Sequence, residues 1–227
     1  MRYFGGKARL ARELANIINQ YDAETYHEPF CGMFSVGSLV TAPIRSGADN
    51  QEDLILLLKA VRDGWEGPEF LSEDEYEFLK GVDPCAMRAF AGFGCSNSGK
   101  FFGGYAREST GRNFAANARS SLLKLAPKLQ GVEFRHESYL DFDEPVDLIY
   151  CDPPYSNTTG FTTGDFDTEE FWSWAYDRAK HSTVLVSEYV APSWTEVVWE
   201  KNVRLSMKSK DKKPRIEKLF KVRVYDE

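Results

Sequence analysis

The chain has 227 residues, 42% of them apolar and 14% aromatic, enough for one sizeable core and free of any disorder signature. No apolar run approaches the roughly 18 residues that span a bilayer, and the opening Met1-Arg2-Tyr3-Phe4-Gly5-Gly6-Lys7 lacks the apolar stretch of a secretory signal. A cytoplasmic protein with no membrane association is expected, and its net charge of −7 does not by itself favour nucleic acid.

Residues 7–20 place Leu10, Leu14, Ile17 and Ile18 at helical spacing. Residues 25–30 read as a short strand ending in a Pro-containing turn, 34–40 as a helix after that turn, and 43–48 as another extended run. Asp49-Asn50-Gln51 starts a helix rich in Leu54, Ile55, Leu57, Leu58 and Val61. Gly64, Gly67 and Pro68 break it, and the next stretch of chain is predicted to be helical but glycine-interrupted. Residues 92–104 hold five glycines and three phenylalanines, too aromatic for a flexible linker and too glycine-rich for a helix, so an ordered loop or hairpin is expected.

Regular alternation resumes with a strand at 132–135. Residues 146–150 are near-continuously apolar, as in a strand buried on both faces. A helix over 168–180 and a buried strand over 182–187 come next, then two strands, 196–206 and 216–224, around a lysine-rich turn. This succession predicts an open α/β sheet, mostly parallel, with an antiparallel C-terminal edge hairpin. Residues 64–119 would be a small, mainly helical insertion between 1–63 and 120–227.

Charge is segregated along the chain. Between Cys85 and Gln130 stand Arg88, Lys100, Arg107, Arg112, Arg119, Lys124 and Lys128 against only Glu108. A second basic run includes Lys208, Lys210, Lys212, Lys213, Arg215 and Lys218. The two tracts could wall a DNA cleft or be two solvated faces. Cys31, Cys85, Cys95 and Cys151 form no CxxC pair, and His27, His136 and His181 supply no second half of a zinc site. Free thiols and no metal are expected.

The chemistry-bearing run is Asp152-Pro153-Pro154-Tyr155, directly after the buried strand 146–150 and so at a carboxyl end where such sheets place ligands. Its two prolines fix φ and remove two donors, which leaves the Pro153 carbonyl free to face a ligand. A carboxylate and a rigid carbonyl together can accept both hydrogens of a primary amine and aim its lone pair. Tyr155 offers a ring face on which a base can stack. A capped Pro-rich turn is the bland alternative.

Upstream, Glu28-Pro29-Phe30-Cys31-Gly32-Met33-Phe34-Ser35-Val36-Gly37 reads as a strand end, a glycine turn and a helix start, which would put backbone N–H groups and a helix N-terminus near a bound cofactor. Asp49, at the end of the next strand, can bind ribose hydroxyls or simply cap the helix after it.

These elements, in this order, resemble the Dam-type DNA N6-adenine methyltransferases, and in the recognition segment the phage-encoded relatives. The resemblance is to the class with the Asp-Pro-Pro-Tyr loop and the order motif X, motif I, recognition segment, motif IV. Tyr3-Phe4-Gly5-Gly6-Lys7 is similar to motif X, Glu28 to Ser35 to motif I, Asp49 to the motif II acid and Asp152 to Tyr155 to motif IV. Met33 departs from motif I, where a second small residue is usual.

The resemblance implies a Rossmann-like methyltransferase fold and S-adenosylmethionine as cofactor, leaving as S-adenosylhomocysteine. Tyr3, Phe4, Lys7, Glu28, Pro29, Phe30, Cys31, Gly32, Asp49 and Asp152 would line its site, and Ser138 and Tyr139 would pack its adenine. It also implies double-stranded DNA as partner, with no obligatory protein partner, and a target adenine flipped out of the duplex. Lys100, Phe101, Phe102, Tyr105, Arg107 and Arg112 are the candidates to touch that DNA. An N4-cytosine methyltransferase and a non-catalytic DNA-binding protein on the same fold are the competing readings. A protein or RNA methyltransferase is weaker, because those usually carry Asn before Pro-Pro-Tyr.

Overall fold

The computed structural model describes residues 6–107, 111, 113–154, 166–203 and 215–225. Among these residues seven strands form one sheet: β1 (Thr25–Glu28), β2 (Ile44–Asp49), β3 (Glu133–His136), β4 (Leu148–Cys151), β5 (Thr183–Glu188), β6 (Thr195–Val203) and β7 (Arg215–Val222). Their order is β3-β2-β1-β4-β5-β7-β6. The first five pair in parallel, and β7 runs antiparallel between β5 and β6. The expected sheet is the observed one, and β3-β2-β1-β4-β5 has the order of a doubly wound, Rossmann-like fold. That order reverses between β1 and β4, so their carboxyl ends flank the switch point where such sheets hold ligands.

Alternate side chains of the central strands enter two cores, as the two-residue period of a strand requires. Leu148 and Tyr150 of β4 and Leu185 of β5 face a cluster that contains Leu14 and Ile18 of α1 (Ala11–Ile18) and Leu54, Leu57, Leu58 and Val61 of α2 (Glu52–Arg62). Ile149, Cys151, Val184 and Val186 face the other cluster, with Phe171, Trp172 and Ala175. Those three lie on a later helix, Thr168–Ala179, whose first turn is capped by the Asp167 carboxylate accepting from the Glu169 and Glu170 N–H groups. All four cysteines are free thiols.

One expected helix is absent. Residues 34–40 contain only a 3₁₀ turn at Gly37–Leu39. Phe34 has φ +52°, a left-handed conformation that a helix cannot continue through. Its ring packs edge-on against Phe134, 5.2 Å between centroids. Burying that ring outweighs the regular backbone.

The regular elements described within 64–119 are helical but cover less than half of it: α3 (Glu73–Leu79), α4 (Ala86–Ala89), a π-helical turn at Phe90–Gly94, a 3₁₀ turn at Asn97–Gly99 and the start of α5 (Phe114–Leu125). Ser72 and Glu75 form a capping box at the head of α3. Leu71, Tyr76, Phe90 and Phe93 belong to the same apolar cluster as α1 and α2. Helix α5 runs unbroken through residue 119, so no linker marks that limit. Residues 92–104 are ordered as expected: Ser96 bridges Tyr105, and the Ala106 N–H donates to the Cys95 carbonyl at 2.9 Å.

Candidate active site

The carboxyl ends of β1, β2 and β4 open into a cavity of about 320 Å³, within the usual size of a small-molecule site. Strand β4 delivers Asp152, Pro153 and Pro154 to its wall. The turn after β1 delivers Glu28, Pro29, Phe30, Cys31 and Gly32, and β2 delivers Asp49. Ser138 and Tyr139, just beyond β3, complete the far side, and Lys7 enters from the chain ahead of α1. Twelve sequence candidates, spread along the chain from Lys7 to Pro154, therefore meet at one site. Tyr3, Phe4, Tyr155 and Arg112 lie outside the described residues.

Lys7 sits between two carboxylates. Its Nζ lies 2.6 Å from Asp152 Oδ1 and 3.2 Å from Glu217 Oε1, with only 7% of its side chain exposed. Burial alone would lower the Lys7 pKa, but Asp152 and Glu217 more than offset it and raise it. The lysine expected to touch the cofactor is thus first a partner of the catalytic candidate. Glu217 was not legible as a site residue, because nothing in its strand sequence marks it.

Asp49 turns both oxygens to the backbone. Oδ2 accepts from the Gly32 N–H and Oδ1 from the Gln51 N–H, each at 3.0 Å. Gly32 has φ +48°, which a glycine adopts without strain, and so aims its N–H at β2. Burial pushes the Asp49 pKa up to about 6 despite those two bonds.

Glu28 is buried, and its Oε1 accepts from the Tyr26 hydroxyl at 2.6 Å. Burial pushes its pKa up to about 8, against the lowering effect of Tyr26 and a Gly37 backbone bond. Nearby, the Tyr150 and Ser187 hydroxyls are bonded at 2.8 Å.

The far wall is aromatic. Tyr139 packs against Phe30 at 5.1 Å and edge-on against Trp174 at 5.3 Å, and its hydroxyl bonds to Glu170. Beside it, Glu137 lines the cavity, and its Oε1 is buried without a hydrogen-bond partner among the described residues. A buried unpaired acceptor is costly unless a ligand donor meets it. Residue-by-residue reading passed over Glu137, although it adjoins Ser138.

The candidate DNA contacts divide. Lys100 and Phe101 line the cavity mouth, with Phe93 from the π-helical turn, which sequence reasoning also missed. Phe102 and Tyr105 instead pack on Tyr76, at 5.1 and 5.5 Å, and the Tyr105 hydroxyl donates to the Leu71 carbonyl at 2.7 Å. Arg107 is paired with Glu73, and Arg119 with Glu66. Lys100 is exposed and makes no ion pair among the described residues.

The family model described as "D12 class N6 adenine-specific DNA methyltransferase" matches residues 3–80. No curated protein matches the sequence. Among solved structures the chain is similar to yhhF from Escherichia coli, provisionally named a methyltransferase, at 11% identity, over 96% of this chain and 88% of that one, with a TM-score of 0.45. It is similar to Thermoplasma acidophilum 1320 at 10% identity, over 96% and 97% of the two chains, with a TM-score of 0.44. A third likeness is to PH1948 from Pyrococcus horikoshii, provisionally named an RNA methyltransferase, at 10% identity, over 94% and 83%, with a TM-score of 0.44.

Proposed function

We propose that this chain is an S-adenosylmethionine-dependent methyltransferase that modifies the exocyclic N6 amine of a flipped-out adenine in double-stranded DNA, in the cytoplasm and with no metal. The observation that carries the reading is the convergence of the Asp152-Pro153-Pro154 loop, Asp49 and the Glu137–Tyr139 wall on one cavity. The match over residues 3–80 supports it independently, since that segment holds the motifs expected to bind cofactor.

The residues present suit the cofactor. Asp49 can accept from ribose hydroxyls, the Tyr139 ring can pack against an adenine, and the unpaired Glu137 Oε1 can accept from an adenine amine. When bound, the cofactor supplies a methyl group on a cationic sulfur.

Asp152 and the Pro153 carbonyl accept the two hydrogens of the target amine and point its lone pair at that methyl. With the cofactor bound, that alignment would let the amine nitrogen take the methyl group while the cofactor departs as its neutral thioether, with one amine proton passing to water. The rate gain comes from fixed geometry and from acceptors aimed at the charge that develops on nitrogen. Flipping the base costs a few kcal/mol, and stacking on Tyr155 returns about 1–3 kcal/mol. Net affinity then rests on phosphate contacts and weakens with salt. Residues 64–119 supply the sequence reader in this reading.

The test is transfer of labelled methyl groups to duplex DNA, followed by nucleoside mass spectrometry. N6-methyladenine is expected from the wild type and none from Asp152→Ala with cofactor binding retained. N4-methylcytosine would move the substrate to cytosine. Binding of DNA without transfer would leave a non-catalytic protein.

A further inference from the structure

Glu217 enters the cavity's chemistry from the opposite end of the chain to Lys7. It lies on β7, 4% exposed, with Oε1 3.2 Å from Lys7 Nζ. The same ammonium reaches Asp152 at 2.6 Å. Lys7 and Glu217 are buried and the Asp152 side chain is 18% exposed, so the cluster is shielded on the Glu217 side and open at Asp152.

The charge of the cluster depends on Glu217. Lys7 and Asp152 alone are neutral as a pair. With Glu217 ionised, the lysine and two carboxylates carry a net −1. An unshared ammonium beside Asp152 would also compete for the carboxylate oxygens that the target amine needs. Glu217 holds Lys7 from the far side, which fixes where the ammonium sits and returns negative charge to the Asp152 oxygens.

We infer that Glu217 is a positioning residue for methyl transfer: through Lys7 it orients Asp152 and gives the cluster the net negative charge that faces the cation forming on the target nitrogen. The inference rests on the methyltransferase reading above. It assigns Glu217 no contact with either substrate. The cofactor's sulfur is already cationic when it binds, so part of the charge effect falls on cofactor affinity, whereas the orientation of Asp152 acts on the target amine and falls on kcat.

Glu217→Gln keeps the shape and an acceptor oxygen but removes the charge. It is expected to lower kcat at least tenfold, about 1.4 kcal/mol in the barrier. Dissociation constants for DNA and for the product S-adenosylhomocysteine, whose sulfur is uncharged, read by anisotropy and calorimetry, should stay within threefold of wild type. Glu217→Asp keeps the charge one methylene further back and should fall between wild type and Glu217→Gln. Glu217→Gln turnover within twofold of wild type overturns the inference. So does a loss of cofactor affinity that accounts for the whole loss of rate, or Glu217→Asp turnover no better than that of Glu217→Gln. Should Glu217→Gln fail to fold, Glu217→Asp decides alone: reduced kcat with unchanged binding supports the role, and wild-type kcat overturns it. A wild-type protein that methylates no DNA overturns the reading beneath, a result distinct from any of these.

Discussion

Gly32 and Asp49 tie the turn after β1 to the end of β2: the Gly32 N–H donates to Asp49 Oδ2 at 3.0 Å, beside the cavity. The carboxylate proposed to receive ribose hydroxyls is thus held in place by the backbone itself. Burial raises its pKa to about 6. Hydroxyl donors favour the ionised form, so cofactor affinity should rise with pH up to about 7 and level off above it. At pH 5 about one-tenth of Asp49 is ionised, and affinity should be about tenfold weaker. Calorimetric titration from pH 5 to 8 checks this, and an affinity flat across that window removes Asp49 from the ribose site.

Glu28 has its raised pKa, about 8, in the folded protein only. Between about 4.5 and 8 the folded chain keeps a proton that the unfolded chain releases, so Glu28 lowers stability as pH rises through that window. Glu28→Gln keeps an oxygen for the Tyr26 hydroxyl and does not titrate. Its stability gain over wild type should be small at pH 5 and grow to a few kcal/mol by pH 9, at about 1.4 kcal/mol per pKa unit. Urea unfolding of both proteins across pH measures it; a difference independent of pH contradicts the burial argument.

Gly37 is required by its neighbours. A β-carbon there would stand 2.4 Å from Phe34 Cζ and 2.8 Å from Glu28 Oε1. Gly47 is less crowded, its nearest neighbour being Cys31 Cβ at 3.0 Å. Gly37→Ala should therefore cost about 1–3 kcal/mol, lowering Tm by several degrees, and should weaken cofactor binding by shifting Glu28. Gly47→Ala should cost less, and thermal melts of the two variants side by side rank them.

Lys100 and Arg107 come from the same basic tract but should respond differently. Arg107 is held by Glu73, whereas Lys100 stands exposed at the cavity mouth. Lys100→Ala is expected to lower the salt slope of DNA binding by about one if it meets a phosphate, and Arg107→Ala to change the slope little. Binding isotherms at several salt concentrations decide the matter. Equal slopes in wild type and Lys100→Ala would move the phosphate contact to another residue.

Much of this was legible because it is local. The apolar run at 146–150 became β4, Leu148–Cys151, and the acid after it arrived at the switch point. The helix expected at 34–40 failed because one buried ring, Phe34, took a left-handed backbone that no periodicity records. The pairing of Glu217 with Lys7 was not legible: their contact depends on β7 lying beside β5, a placement set by the whole sheet. Glu137 was missed for a different reason. Its meaning lies in a bond that it does not make, and a sequence shows only which bonds are possible.

The placement of β7 also governs the order of assembly. Strand β6 precedes it in the chain yet reaches the sheet only through it, in the order β5-β7-β6. Until β7 is in place, the nine residues of β6 lack their native partner, and the flank of β5 is an unpaired edge open to a wrong strand, β6 included. Seating β7 closes that flank, pairs β6 along its other edge and places Glu217 beside Lys7. The charge cluster and the finished sheet thus come into being together.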